Sequence, residues 1–323
     1  MKNIPANNSF GRLLYSQKTD NRLSAILAIC LFVFVTGWGQ AVVKDANPSL
    51  LITENENLVD PLVQYELSGG AGHYNYAPSA IVDEYGICYM YLCQNSDPFK
   101  IVDYVYLYKG IPGKTGYIWQ PGTEIVAPSK DGWDDCHICD PDVREFRCTY
   151  RGQSYDYIMT YLGVDQWDSK HNQIGLAFSK SLDGPWIKFD QNPLVGFEAT
   201  DRWGVGQSTT VVLDENTIRL FYHKSGNTGA TMVSRDIKLS NLENISLGEE
   251  KLIPNIKPNA YLSYSDKYVY LVSEVRINMS DEIPTWVGNY ARFAYMPIEN
   301  DIHSDDANHQ QKIGNEGTRL ELQ

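Results

Sequence analysis

The residues of this chain best suited to acid–base chemistry are carboxyls, and they recur at the ends of short apolar segments. Asp140 stands immediately before Pro141, while Asp165 and Glu274 each follow an apolar run that includes tyrosine. Breaking an acetal takes two carboxyls: one gives a proton to the leaving oxygen, and the other activates water or attacks the sugar carbon. A separation of about 5–5.5 Å predicts retention of configuration and about 6.5–9.5 Å predicts inversion. Asp140 is expected to be one of the catalytic carboxyls, the alternative being an Asx turn ahead of Pro141. Glu274 is expected to be a buried acid at a strand end, where burial raises a carboxyl toward a general-acid role. Asp165 is a weaker candidate of the same kind, with a solvated strand-end charge as the alternative. Asp142 is expected to point away from Asp140, because strand neighbours alternate faces.

Other residue types near these acids suit a polyhydroxylated ligand. Gln94 and Gln207 offer amide donors and acceptors. His223 could serve as an acid, an ion ligand or a satisfied polar residue. Trp133, Trp167 and Trp203 lie on adjacent loops, as do Asp134, Asp135 and Asp201. A tryptophan ring covers the flat C–H face of a sugar and keeps an N–H free, although loop tryptophans equally pack against strand ends.

Elements that would position these residues are short strands. Tyrosine, tryptophan and phenylalanine are plentiful, turn residues punctuate the apolar runs, and long helical periodicity is missing. Four segments share one pattern: a Pro- or Gly-containing start, an apolar strand, a polar turn and a second strand. They begin at Ala77, Asp140, Gly206 and Lys257. The spacing of about 50–65 residues suits one four-stranded propeller blade with its loops. In the second repeat the two strands are expected to be joined by a longer connection before Tyr157. Outer strands follow at Gln173–Ser179 and, after the turn Ser181–Trp186, at Trp186–Phe189. The expected architecture is therefore an all-β five-bladed propeller, with four repeats clear and the last blade incomplete or atypical.

In such a blade the first strand lines the channel and the second returns antiparallel beside it. First-strand starts and second-strand ends then open on one face. Ala77, Asp140, Gln207 and Lys257 are expected there, together with Gln94, Asp165, His223 and Glu274.

The pattern resembles the five-bladed propellers of glycoside hydrolase family 43 and its relatives in families 32 and 68. The resemblance covers most of residues 73–298. It rests on the repeated strand starts, on Cys139-Asp140-Pro141-Asp142-Val143, and on Ser179-Lys180-Ser181-Leu182-Asp183-Gly184-Pro185-Trp186. It implies an O-glycosyl hydrolase acting on a neutral oligo- or polysaccharide. The family carries a first-blade Asp as base, a second-blade Asp that orients and tunes, and a third-blade Glu as acid. Here the second position is kept as Asp140 or Asp142, the first is Ala77, and Trp203–Ser208 contains no Glu. A catalytically inactive glycan-binding propeller is the alternative that these departures leave open. A central Ca²⁺ would suit such a channel, but no dedicated oxygen cage is legible.

With 323 residues, 43% hydrophobic and 21% charged, the composition is that of an ordinary globular protein. A formal net charge of −13 repels phosphate backbones, so nucleic acid is not an expected partner, whereas neutral sugars carry no such penalty. Lys2, Arg12, Lys18 and Arg22 precede the apolar run Ala25–Val35, and Gly39-Gln40-Ala41 places small residues where a signal peptidase reads. Residues 1–41 are expected to be a signal peptide and the protein to be secreted or periplasmic. The apolar run is well short of the about 20 residues a membrane span needs, so no stable span is expected after cleavage. Residues 42–72 read as a lead-in, 73–300 as the propeller and 301–323 as a polar C-terminal segment. Beyond the signal, five cysteines remain, so at least one is unpaired within the monomer. Cys136-His137-Ile138-Cys139 with Cys148 invites a zinc reading, but a lone CxxC is weak evidence. Disulfide or buried apolar use is expected instead.

Overall fold

The computed structural model describes residues 75–95, 102–114, 116–166, 170–198, 203–226, 229–253, 260–264, 268–275, 290–297 and 319–321. These form four antiparallel sheets. The first holds β1 (Asn75–Val82), β2 (Cys88–Asn95), β3 (Asp103–Pro112) and β4 (Tyr117–Trp119), with β5 (Thr123–Val126) also pairing β3. The second holds β6 (His137–Tyr150), β7 (Gln153–Val164), β8 (Gln173–Ser179) and β9 (Ile187–Lys188). In the third, β10 (Val205–Val212), β11 (Thr217–Gly226) and β12 (Gly229–Lys238) are joined by β13 (Ser246–Leu247) and β14 (Lys251–Ile253), both on β12. The fourth is β15 (Ala260–Tyr264), β16 (Tyr268–Val275), β17 (Tyr290–Pro297) and β18 (Arg319–Glu321). Each sheet runs in chain order from an innermost strand outward, as a propeller blade does. Arg319–Glu321, within the polar C-terminal segment, supplies the outer strand of the fourth blade. Among the described residues no helix is long and apolar enough to cross a membrane.

Turn chemistry closes the inner hairpins. Asp83 Oδ1 accepts the backbone N–H of Tyr85 and of Ile87, both at 2.9 Å, and Gly86 takes φ +79°. Asp214 Oδ1 accepts from Asn216 N in the third blade. The second blade differs from the sequence expectation. No long connection precedes Tyr157; instead β6 runs on to Tyr150 and reverses through Arg151-Gly152, both at positive φ. Two residues of that conformation match the right-handed twist of the flanking strands.

Alternation along each strand sends side chains to the two neighbouring blades, which is why β2 is buried throughout. Tyr89 and Tyr91 join Ile138, Val143, Met159 and Tyr161 between blades one and two. Met90 and Leu92 pack with Tyr108 and Trp119 on the opposite face. Ile158 and Phe178 meet Leu220 and Tyr222 between blades two and three, and Phe221 meets Leu262 and Leu271 between three and four.

A repeated polar lacing joins the innermost strands. Ser79 Oγ accepts the N–H of Val143 at 3.0 Å. One blade further, Asp142 Oδ2 accepts the N–H of Thr210 at 2.6 Å and the Thr210 hydroxyl. Next, the Thr209 hydroxyl donates to the carbonyl of Leu262 at 3.4 Å. Because the N–H and C=O of one strand residue point the same way, Leu262 stands in blade four where Val143 and Thr210 stand in blades two and three.

Candidate functional site

The three clearest repeats share one local irregularity. Each innermost strand is bulged against its partner, between Tyr76 and Ser79, Cys139 and Asp142, and Gly206 and Thr209. The residue inside each bulge is left-handed: Ala77 at φ +49°, Asp140 at +47° and Gln207 at +49°. Non-glycine residues seldom adopt this conformation, and bulges re-aim a side chain out of the pleat. The positions marked by the sequence pattern are thus structurally equivalent, and all three are half-buried.

Register identifies the second-strand step that faces them. Ala80, Val143, Thr210 and Leu262 pair with Met90, Met159, Leu220 and Leu271. Three residues further on stand Cys93, Leu162, His223 and Glu274. Glu274 therefore occupies in blade four the step of His223 in blade three, with its Cα opposite Ala291; its side chain lies outside the described residues. Lys257, Trp167 and Asp201 also lie outside them.

Asp140 sits at the seam of blades one and two. Its N–H points at Cys93 Sγ, 2.8 Å away, and its Oδ1 lies 3.2 Å from Cys139 Sγ. Those two sulfurs form a disulfide between the second strand of blade one and the first of blade two. Cys139 is therefore not one half of a Cys136–Cys139 metal pair, and Cys136 and Cys148 are separate buried thiols. Burial pushes the Cys148 thiol up to about 12, which leaves it an inert apolar residue. Ala77 packs against the disulfide, together with Leu162 and Val164.

Two ionisable groups act on Asp140. Asp103, the first residue of β3, is buried; its Oδ2 accepts the Tyr76 hydroxyl at 2.7 Å and lies 3.3 Å from His137 Nδ1. His137 opens β6, three residues before Asp140. Burial pushes the Asp140 carboxyl up to about 7, the charge on Asp103 adds to the rise, and His137 opposes it. A carboxyl of that kind is protonated in about half of the molecules near pH 7 and can give its proton up, as a general acid must. Asp103 carried no sequence signal, because its contacts with Tyr76 and His137 join residues distant in the chain.

On the third blade, His223 is buried and its Nδ1 lies 2.6 Å from Gln207 Oε1. Burial lowers His223 to about 4, so the ring is neutral at physiological pH. A neutral ring donates from one nitrogen only; with Nδ1 donating to Oε1, the Gln207 amide is left to present its N–H groups.

Asp142 stands elsewhere. In a regular strand, residues two apart share a face, so the expectation that Asp142 points away from Asp140 had the wrong reason. The left-handed bulge breaks the alternation. Asp142 is buried, held by Thr210 and paired with Arg144 at 2.9 Å. Arg144 also donates to the Thr210 carbonyl at 2.7 Å and to the Tyr261 hydroxyl at 2.5 Å. Asp142 Oδ2 is thus engaged by Thr210, while Oδ1 faces the Arg144 guanidinium as an ion pair without an aligned hydrogen bond.

The remaining candidates are dispersed. Gln94 lies one step past Cys93, so alternation turns it to the other face of blade one, where it is buried and accepts the Tyr108 hydroxyl at 2.8 Å. Asp165 lies beyond the end of β7 and faces His171 Nδ1 at 3.2 Å. Trp133 packs on Tyr161, ring centroids 5.6 Å apart, over Gly163 and Gly175, where any Cβ would strike its ring. Buried Asp134 beside it is paired with Lys188 at 2.6 Å. Asp135 and Trp203 are exposed.

No family model matches this chain, and no curated protein matches it. Among solved structures it is similar to Zg3597, a family 117 glycoside hydrolase of the marine bacterium Zobellia galactanivorans. The identity is 13% over 78% of this chain and 70% of the other, with a TM-score of 0.49. A GH43 endo-arabinanase from Bacillus licheniformis is 17% identical over 76% of this chain and 79% of its own, with a TM-score of 0.49. An endo-arabinase from Bacteroides thetaiotaomicron is 14% identical over 70% and 77%, with a TM-score of 0.47.

Proposed function

We propose that this chain is an exported glycoside hydrolase-like propeller that acts on neutral oligo- or polysaccharides at the face bearing Asp140, Gln207 and His223. One observation supports the reading: a half-buried carboxyl, held up to about 7, occupies the same left-handed bulge position as Ala77 and Gln207 on the neighbouring innermost strands. In this reading Asp140 gives its proton to the leaving glycosidic oxygen. Glu274, at the His223 step of blade four, is the partner carboxyl that activates water or attacks carbon. The Gln207 amide and the neutral His223 ring orient hydroxyls without placing a charge against them. The disulfide supports export, since such bonds persist in oxidising compartments.

A second reading has its own observation. At the two bulge positions equivalent to Asp140 stand Ala77 and Gln207, a methyl and an amide that cannot transfer a proton. This favours a glycan-binding propeller without hydrolysis. One experiment separates the two: neutral oligosaccharides are incubated with the purified protein and with Asp140→Asn, and products are read by mass spectrometry. Products that need Asp140 establish the hydrolase. Binding without products, with hydrolysis appearing in an Ala77→Asp/Gln207→Glu variant, establishes the second reading. Neither binding nor products contradicts both.

A further inference from the structure

Trp203 stands just ahead of β10 and has no part in either reading of the site. It is 42% exposed, yet its backbone is held from two sides. Its N–H donates to Ser225 Oγ on β11 at 2.6 Å, and its carbonyl accepts the N–H of Asn172 at 2.8 Å. Gly204 follows at φ +108°, and a Cβ there would lie 2.1 Å from the Asn172 carbonyl oxygen. The bridge between Asn172 and Gly204 therefore needs glycine at 204, and it seats blade two against the start of blade three. A scattered apolar residue on a surface is ordinary. An exposed indole on a backbone fixed this closely is what a preorganised contact requires.

The same bridge brings a polar group beside Trp203. It is parallel, so His171 and Trp203 are lateral neighbours, with backbones about 5 Å apart. His171 takes φ +60°, a conformation that costs energy in a non-glycine residue and gathers at functional sites. Its Nδ1 lies 3.2 Å from Asp165 Oδ1 and 2.8 Å from Gln166 Nε2. Its ring rests against Phe197, centroids 4.2 Å apart. Asp165, Gln166 and His171 are all half-buried.

We propose that Trp203 is the stacking platform of a second sugar subsite at the seam of blades two and three, and that the ligand is a neutral oligosaccharide of at least two units rather than a free sugar. The inference rests on the proposed function, which seats one unit at Asp140 and Gln207. Trp203 and Gln207 are four residues apart, at most about 14 Å of chain, a span that a short oligosaccharide covers. The indole covers the flat C–H face of the further unit. Asp165 and Gln166, which flank His171, supply an acceptor and a donor for its hydroxyls. The Asp165 carboxyl and the formal net charge of −13 disfavour an acidic sugar.

The test is calorimetric binding of arabino-, xylo-, cello-, manno- and galacto-oligosaccharides of increasing length, and of the free sugars, to the full chain carrying Asp140→Asn, which prevents turnover. Affinity should rise from the free sugar to the longer chain. Adding Trp203→Ala should remove that gain, about tenfold or more, and leave the affinity for the free sugar. Gln207→Ala should weaken every length. Tyr85→Ala, which removes an exposed ring from the turn between β1 and β2, should change nothing. Affinity that ignores chain length, or a gain with length that survives Trp203→Ala, overturns the inference and leaves the proposed function standing. Absence of binding at every length contradicts both. Should Trp203→Ala fail to fold, the Asp140→Asn chain decides alone. Longer oligosaccharides should then protect Trp203 from oxidation by N-bromosuccinimide, read by peptide mass spectrometry, and equal oxidation with and without them is contrary.

Discussion

His223 and Gln207 form a closed pair on the third blade, Nδ1 of one 2.6 Å from Oε1 of the other, and the burial of the ring favours its neutral form. Burial lowers His223 to about 4 in the folded chain, against an ordinary value of 6.5. Between those two values the unfolded chain binds the extra proton, so stability is complete above about pH 6.5 and falls as pH drops toward 4. The full difference corresponds to about 3 kcal/mol. Urea unfolding across this range should show a steeper acid loss in the parent than in His223→Asn.

Asp140 has the opposite sign. Its folded value of about 7 lies above the ordinary carboxyl value of 3.8, so the folded state binds the extra proton between them. Stability is complete below about pH 4 and falls as pH rises through 7. Asp140→Asn should flatten this slope and be more stable than the parent above pH 7, while losing any hydrolytic activity. A site residue that is costly to the fold but needed for function gives this signature. Thermal melts of both proteins at pH 5 and pH 8 check it.

Asp142 is an acid of the fold. Asp142→Ala would strip the N–H of Thr210 of its acceptor and leave Arg144 buried without its partner. Breaking a buried pair on one side costs about 3–5 kcal/mol. Ser79→Ala, at the equivalent position of blade one, removes only a neutral acceptor from the N–H of Val143 and should cost about 1–3 kcal/mol. Denaturant midpoints of the two variants should rank in that order.

The Cys93–Cys139 disulfide closes a chain separation of 46 residues. Loop-closure entropy for that length corresponds to about 4 kcal/mol. A Cys93→Ala/Cys139→Ala variant should unfold at correspondingly lower urea and should disturb Asp140, whose N–H rests on Cys93. An unchanged midpoint, with two more thiols titratable in the unfolded parent than in the unfolded double variant, would show that the bond does not form.

The fold was legible because a propeller repeats its instructions. The strand starts at Ala77, Asp140 and Gly206–Gln207 were visible as a recurring pattern, and these positions prove to share one bulge and one left-handed conformation. The step of His223 and Glu274 was legible for the same reason. Gln94 was displaced by a single residue, and in a strand that reverses the face. The tight reversal at Arg151-Gly152 was missed because Cys148–Tyr150 carries no break in its apolar pattern. Asp103 and the partner of Cys139 were beyond reach. Each is defined by a contact between blades, and local periodicity holds no record of which strands meet.

A neutral glycan is expected to bind at the face that bears Asp140, Gln207 and His223. The most direct test is a crystal structure of Asp140→Asn soaked with an oligosaccharide that the screen shows the protein to bind or cleave. A sugar ring should sit at the start of the innermost strands, within hydrogen-bond distance of residue 140 and of the Gln207 amide. A sugar seated on the outer strands instead, with that position holding only water at saturating ligand, would contradict it.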